Sequence, residues 1–322
     1  MLREETVFGP IRSRRLGNSL GINLLPVNGK FCNFDCIYCE CGWNADGRGD
    51  TVLPTAAQVR SALEDKLSAL MLDGMPLDSI TFSGDGEPTL NPEFPRIIDD
   101  TLKLRDAFFP SAKVSVLSNA TRVHLDEVFE ALRKVDNPIK KIDAPTDALA
   151  ALINRPAPGY SVARVVEALK RFQGNFVLQT MFLRAPAVSV MPDTIGHPGP
   201  GSATVPGSSG VVSDPLSGSA VVPGSSGGNS DPVSGSAVVP GSSGGNSDPV
   251  SGSMTVFPTF DTAAPEVLGP WMDIVRELRP RLIQVYSIDR PTPASGLQKY
   301  SVDQMQKLVA PLLAEGFNIQ FR

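Results

Sequence analysis

The 322-residue chain contains no run of eighteen apolar residues, so no membrane-spanning helix is expected. Its first ten residues, MLREETVFGP, lack the apolar stretch of a secretory signal. Both absences favour a cytoplasmic location. An excess of positive charge is also missing. The net charge is −5, so charge gives no support to a nucleic-acid partner. Arg12, Arg14 and Arg15 form a small basic cluster near the start. It could bind an anionic substrate, but surface ion pairing is the simpler reading. Cysteine is absent everywhere except between Cys32 and Cys41, where all four fall. Ten residues cannot hold a disulfide framework, which staples distant segments. Clustered thiols in a reducing compartment point instead to metal or redox chemistry.

A further absence is local. From Pro186 to Thr255 there is no Lys, Arg, Glu or aromatic residue, and Gly, Ser, Pro and Val dominate. A 17-residue unit repeats inside this tract. GSATVPGSSGVVSDPLS fills 201–217, and GSAVVPGSSGGNSDPVS fills both 218–234 and 235–251. Each unit has only a few Val, Ala and Leu to bury, too few to offset the entropy of ordering. The expectation is a disordered low-complexity insertion over 186–255. It would divide a globular core into a first part, 1–185, and a last part, 256–322.

What is present in that core alternates between strand and helix patterns. Strands are expected at Leu20–Leu25, Ser79–Ser83, Lys113–Leu117, Ile139–Asp143, Phe176–Leu183, Leu282–Ile288 and Asn318–Phe321. Helices are expected at Thr55–Leu72, Glu93–Leu104, Leu125–Lys134, Val162–Phe172, Pro265–Leu278 and Ser301–Leu313. The first helix shows the spacing most clearly, with Val59, Leu63, Leu67 and Leu70 on one face. Such alternation predicts an α/β fold with a parallel sheet and right-handed crossovers. Six units would make an open, partial (β/α)6 barrel. In parallel α/β folds the chemistry gathers at the C-terminal ends of the strands. The cysteine loop and the later Gly84-Asp-Gly86-Glu87-Pro88 segment would then share one mouth.

The cysteine loop reads Cys32-Asn-Phe-Asp-Cys36-Ile-Tyr38-Cys39-Glu-Cys41, a C-x3-C-x2-C spacing with one further thiol. Soft thiolates select zinc or iron–sulfur centres. Structural zinc usually pairs two C-x2-C knuckles across a longer loop, which this sequence lacks. Three close thiolates can hold three irons of a cubane and leave the fourth open to a small chelating molecule. A four-thiolate site that includes Cys41 is the competing arrangement, belonging to an electron-transfer or redox-sensing protein or to a zinc-stabilised module.

C-x3-C-x2-C with an aromatic residue before its last cysteine resembles the signature of the radical S-adenosylmethionine superfamily. The resemblance implies a [4Fe–4S] cluster on Cys32, Cys36 and Cys39, with S-adenosyl-L-methionine on the open iron beside Tyr38. It also implies a reductant such as flavodoxin or ferredoxin, and a 5′-deoxyadenosyl radical that takes hydrogen from a tRNA, peptide or metabolite. Without a second cysteine cluster, the auxiliary clusters of many peptide-modifying relatives are excluded.

Gly84, Gly86 and Glu87 resemble the family's Gly-Gly-Glu motif, which holds the amino group of the cofactor. Asp85 stands where that motif has its first Gly of the pair. Ser118 and Asn119, at the end of the third expected strand, suit ribose hydroxyls by the family's pattern; equally, they suit a helix N-cap. Asp143 could orient ribose or substrate, or cap a turn, and Gln179 and Arg184 flank the next strand. Two further stretches, Val7–Gly21 and Tyr286–Ala294, extend the resemblance to a group of uncharacterised iron–sulfur oxidoreductases of this superfamily, distantly related to wybutosine-type tRNA enzymes.

Overall fold

In the computed structural model, residues 2–13, 16–27, 29–46, 51–185, 189–192 and 254–322 are described. The chain begins with two antiparallel strands, β1 (Val7–Ser13) and β2 (Gly17–Ile22). Then follow α1 (Ala56–Leu72), β3 (Ser79–Phe82), α2 (Phe94–Phe108), β4 (Lys113–Ser118), α3 (Asp126–Lys134), β5 (Asn137–Lys141), α4 (Asp147–Ile153), α5 (Val162–Lys170) and β6 (Val177–Met181). Short strands β7 (Leu183–Ala185), β8 (Ser189–Pro192), β9 (Met254–Phe257) and β10 (Phe260–Asp261) come next. The chain closes with α6 (Pro265–Leu278), β11 (Leu282–Tyr286), β12 (Gln298–Lys299), α7 (Val302–Leu308), α8 (Ala310–Ala314) and β13 (Ile319–Phe321).

Eight strands form one open sheet in the order β1-β2-β3-β4-β5-β6-β11-β13. From β2 onward every pairing is parallel. The expected α/β architecture is therefore present, with six parallel strands alternating with helices and β13 added as a seventh. β3 and β6 are buried along their whole length. The first expected helix stripe is also found, with Val59, Leu63, Leu67 and Leu70 buried and a Thr55–Gln58 capping box at its start.

Several elements depart from the sequence expectation. β1 was not expected, because Gly9 and Pro10 interrupt its apolar pattern. The structure absorbs them in an irregularity of the ladder between Phe8 and Ile11. The cysteine loop consequently follows the second strand of the chain, which is the first parallel one. The single helix expected over Ser301–Leu313 is broken at Val309 into α7 and α8. Pro311 lacks an N–H and disfavours helical backbone just before it. α4 was missed because it is only seven residues long, although Thr146 caps it.

Residues 193–253, which hold the repeats, lie outside the described residues, as does the expectation of disorder there. The segments on either side come together: β8 pairs antiparallel with β9, Ser189 opposite Phe257 and Pro192 opposite Met254. Arg14 and Arg15 also lie outside the described residues. Among the described residues, no helix is long and apolar enough to cross a membrane.

Candidate functional site

The loop after β2 and the turn after β3 are tied together by backbone. Phe31 N–H donates to the Asp85 carbonyl (2.9 Å), and Glu87 N–H donates to the Phe31 carbonyl (3.2 Å). Gly86 makes this approach possible. Its φ is +146°, and a Cβ there would lie 1.9 Å from the Phe31 carbonyl oxygen. A Cβ on Gly84 would lie 2.0 Å from Asn23 Oδ1. Both glycines are thus demanded by close packing of the turn against its own neighbours.

Above this junction lies a cavity of about 360 Å³. The residues expected to form one mouth meet in its wall: Cys32, Cys36, Cys39 and Tyr38, Gly84, Gly86 and Glu87, and Ser118 and Asn119. Gln179 lines it as well, whereas Arg184 and Asp143 are not part of the lining. Arg184 faces outward to Gln298.

The cysteine loop is held from below. Lys30, almost fully buried, donates to Asp35 Oδ1 (2.9 Å) and to the Gly42 carbonyl (3.0 Å). Asn44 Nδ2 donates to the carbonyls of Cys32 (3.0 Å) and Phe34 (3.1 Å). All four cysteines are free thiols. The Cys36 sulfur accepts from Asn154 Nδ2 at 3.4 Å, and the Cys32 sulfur accepts from the Phe34 N–H at 3.4 Å. Such N–H donors are the usual surroundings of metal-bound thiolates.

Burial raises the Cys32 thiol and pushes Cys36 up to about 11. Cys39 moves the other way, lowered to about 6, chiefly because Cys41 donates to its sulfur, with Lys30 and Lys141 adding positive charge. Cys41 is raised for the same reason and lies 3.8 Å from Asp85 Oδ1. Burial alone would lower the Lys30 ammonium, but the charges of Cys39, Cys32 and Asp35 together raise it. Among the described residues, no three His, Cys, Asp or Glu side chains are gathered around the position of a single metal ion.

Glu87 is 2% exposed. Its Oε1 accepts from Thr89 N–H (3.1 Å) and Thr89 Oγ1 (2.6 Å), and its Oε2 from Asn119 N–H (2.6 Å). Three of roughly four acceptor positions on a carboxylate are thereby used. Asp85 accepts from Arg3 N–H (2.6 Å) through Oδ2, tying the N-terminal segment to the turn, and burial raises its carboxyl.

Ser118 and Asn119 do not cap a helix, since α3 starts only at Asp126. Ser118 Oγ accepts from Ala120 N–H (3.1 Å), and Asn119 Oδ1 from Thr121 N–H (3.1 Å). These bonds stabilise a tight turn in which Ala120 takes φ +65°. Asn119 Nδ2 donates to Asn33 Oδ1 (2.7 Å), across to the cysteine loop.

Asp143 lies just beyond β5 and behind Tyr38. It bonds the Tyr38 hydroxyl, accepts from Asn154 Nδ2 (2.7 Å) and Met181 N–H (2.8 Å), and pairs with Lys141 at 3.5 Å. It touches the cavity's wall through Tyr38, Lys141 and Met181. The Lys141 ammonium lies 4.9 Å from the centre of the Tyr38 ring and 4.5 Å from that of Tyr286. Sequence reasoning missed Lys30, Asn154 and Lys141. Lys30 had a local signal in its closeness to the cysteines; Asn154 and Lys141 had none, because their partners lie far away in the chain.

Comparison with known proteins shows what the chain is similar to in sequence and fold. The sequence model of the radical SAM superfamily matches residues 29–183. A UPF0026 protein of Methanocaldococcus jannaschii is 30% identical over 183 residues, 55% of this chain and 53% of that protein. A UPF0026 protein of Synechocystis is 32% identical over 186 residues, 55% of this chain and 64% of its own length. The chain thus spans little more than half the length of these curated relatives. Streptococcus suis SuiB, solved with S-adenosylmethionine bound, is similar in fold, with a TM-score of 0.51 at 12% identity. The likeness covers 92% of this chain and 49% of SuiB.

Proposed function

We propose that the protein, whose residues 29–183 match the sequence model of the radical SAM superfamily, is a radical S-adenosylmethionine enzyme with one [4Fe–4S] cluster. One observation carries the reading: three cysteines of the C-x3-C-x2-C loop and the Gly84–Glu87 turn line the same cavity and are joined by the Phe31–Gly86 backbone bridge. The donor set fits such a cluster, with three free thiols on one wall and N–H donors already directed at two of the sulfurs. When bound, the cluster supplies one electron that breaks the S–C5′ bond of S-adenosylmethionine, giving a 5′-deoxyadenosyl radical that takes hydrogen from the substrate.

The chain's own residues bind and orient. Cys32, Cys36 and Cys39 ligate iron, and the buried Lys30 ammonium offsets the charge of the thiolates. Glu87 keeps one acceptor position toward the cavity, which takes an ammonium group. Gly84 and Gly86 let the turn pack against Asn23 and Phe31, which brings its backbone to the cavity wall. Ser118 and Asn119 present polar edges to ribose. Tyr38 forms a flat wall whose angle is fixed by Asp143 and Asn154, so Asp143 acts as a positioning residue. Cys41, held by Asp85, is left out of the ligand set. A ferredoxin or flavodoxin is the reductant, in keeping with free thiols and a cytoplasmic setting. Residues 186–255 are an insertion between the two parts of the core, and the pairing of β8 with β9 supports excising 193–253 without parting its flanks.

The test is anaerobic reconstitution with iron and sulfide, reduction with dithionite, and assay of S-adenosylmethionine turnover. The expected product is 5′-deoxyadenosine. A fully loaded cluster that yields none would overturn the reading in favour of an electron-transfer or redox-sensing iron–sulfur protein.

A further inference from the structure

A second cavity, of about 420 Å³, lies between the turn after β4 and the start of α5. Its walls carry three basic side chains, Arg122, His124 and Arg164, together with Tyr160. Val165 and Ala168, on one face of α5, make an apolar floor. The volume falls in the range of small-molecule sites.

The two arginines differ from seven others in the chain. Arg60, Arg96, Arg105, Arg133, Arg171, Arg276 and Arg290 all sit in ion pairs. Among the described residues, neither the Arg122 nor the Arg164 guanidinium has a hydrogen-bond or ion-pair partner, and Arg122 Nε is buried without one. A buried donor nitrogen of a charged group is seldom left without a partner, so the Arg122 Nε calls for one. Carboxylates on the flanking elements are engaged elsewhere. Asp126 pairs with Arg171, and Asp147 Oδ1 accepts from Val162 N–H at 2.6 Å. One N–H of the first turn of α5, that of Val162, is therefore already taken. His124 Nδ1 is 3.0 Å from the Thr121 carbonyl, which leaves Nε2 for a ligand.

We propose that this cavity binds a small phosphate monoester. Two guanidinium forks supply the planar, bidentate recognition that phosphate oxygens accept. The apolar floor and Tyr160 receive an uncharged body of about one ring's size. A small molecule is favoured over nucleic acid because the basic groups face into a bounded cavity, while the chain as a whole is acidic. Asn33 connects the two sites: it lines this cavity, and its side chain bonds both Thr121 Oγ1 (2.7 Å) and Asn119 Nδ2 (2.7 Å). The site stands independently of whether the cysteine cavity holds a cluster.

Isothermal titration of the full chain with phenyl phosphate at low ionic strength tests this. Saturable binding at one site is expected, weakened at least tenfold by Arg164→Gln and by Arg122→Gln, and unchanged by the charge-matched Arg96→Gln. Arg164 is exposed on its helix, so its substitution leaves folding intact. Phenol, which lacks the phosphate, should not bind. The proposal is overturned if the unaltered chain does not bind phenyl phosphate, if Arg96→Gln weakens binding equally, or if a short single-stranded RNA binds there in place of the monoester.

Discussion

The carboxylate of Glu87 accepts a 2.6 Å hydrogen bond from the backbone N–H of Asn119, which follows the next strand of the sheet. Two neighbouring strand ends are locked by this bond, so the residue proposed to receive an ammonium is also a structural strut. Glu87→Gln replaces a charge-assisted bond with at best a neutral one. A loss of about 1–3 kcal/mol is expected, measured as a lower urea midpoint, together with weaker S-adenosylmethionine binding in equilibrium dialysis. Weaker binding without a lower midpoint would assign Glu87 to the ligand alone.

Gly86 is the point of closest approach between the turn and the cysteine loop. Gly86→Ala puts a Cβ 1.9 Å from the Phe31 carbonyl oxygen and strains a positive φ, at a cost of about 3 kcal/mol or more. The reconstituted variant should retain less iron than the parent, as read by iron content and the charge-transfer absorbance. Full iron retention would show that the bridge is dispensable.

The ligand set is separable by substitution. Cys36→Ala should abolish cluster binding, whereas Cys41→Ala should retain it with an unchanged electron paramagnetic resonance signal after reduction. Loss of the cluster in Cys41→Ala would restore the four-thiolate arrangement.

Lys140 is fully buried, and its ammonium has no hydrogen-bond partner among the described residues. It sits 5.8 Å from the centre of the Phe172 ring. Burial lowers it from 10.5 to about 7, partly opposed by the charge of Glu87. The unfolded chain therefore binds more protons between about pH 7 and 10.5, and the lysine's penalty is relieved as pH rises through that window. Below about pH 7 the penalty is present in full. Lys140→Met should raise stability at pH 7 by about 2–4 kcal/mol and flatten the slope of stability against pH between 7 and 10. Chemical denaturation at several pH values checks both.

Much of this was legible along the chain. Helix α6 begins and ends where expected, because Pro265 opens it and its apolar residues keep helical spacing up to Leu278. The cysteine loop announced itself through thiol spacing alone. Ser118 and Asn119 were noticed for the right residue types, but their neighbours decide what they do. Ribose contact and a helix cap were equal alternatives for them; the structure bonds them into a turn before the helix begins, which removes the cap. β1 was hidden because its Gly-Pro step looks like loop until β2 lies alongside it.

The sequence by itself determined the alternation of strand and helix and the cluster of thiols, because each is written in residues close along the chain. Tertiary structure decided which groups surround those thiols. Lys141, Asn154 and Asp143 reach Tyr38 and Cys36 from about a hundred residues away, and Arg122 and Arg164, forty-two residues apart, both line the second cavity. Burial, hydrogen-bond reach and charge compensation depend on distance in space, which only the folded sheet sets.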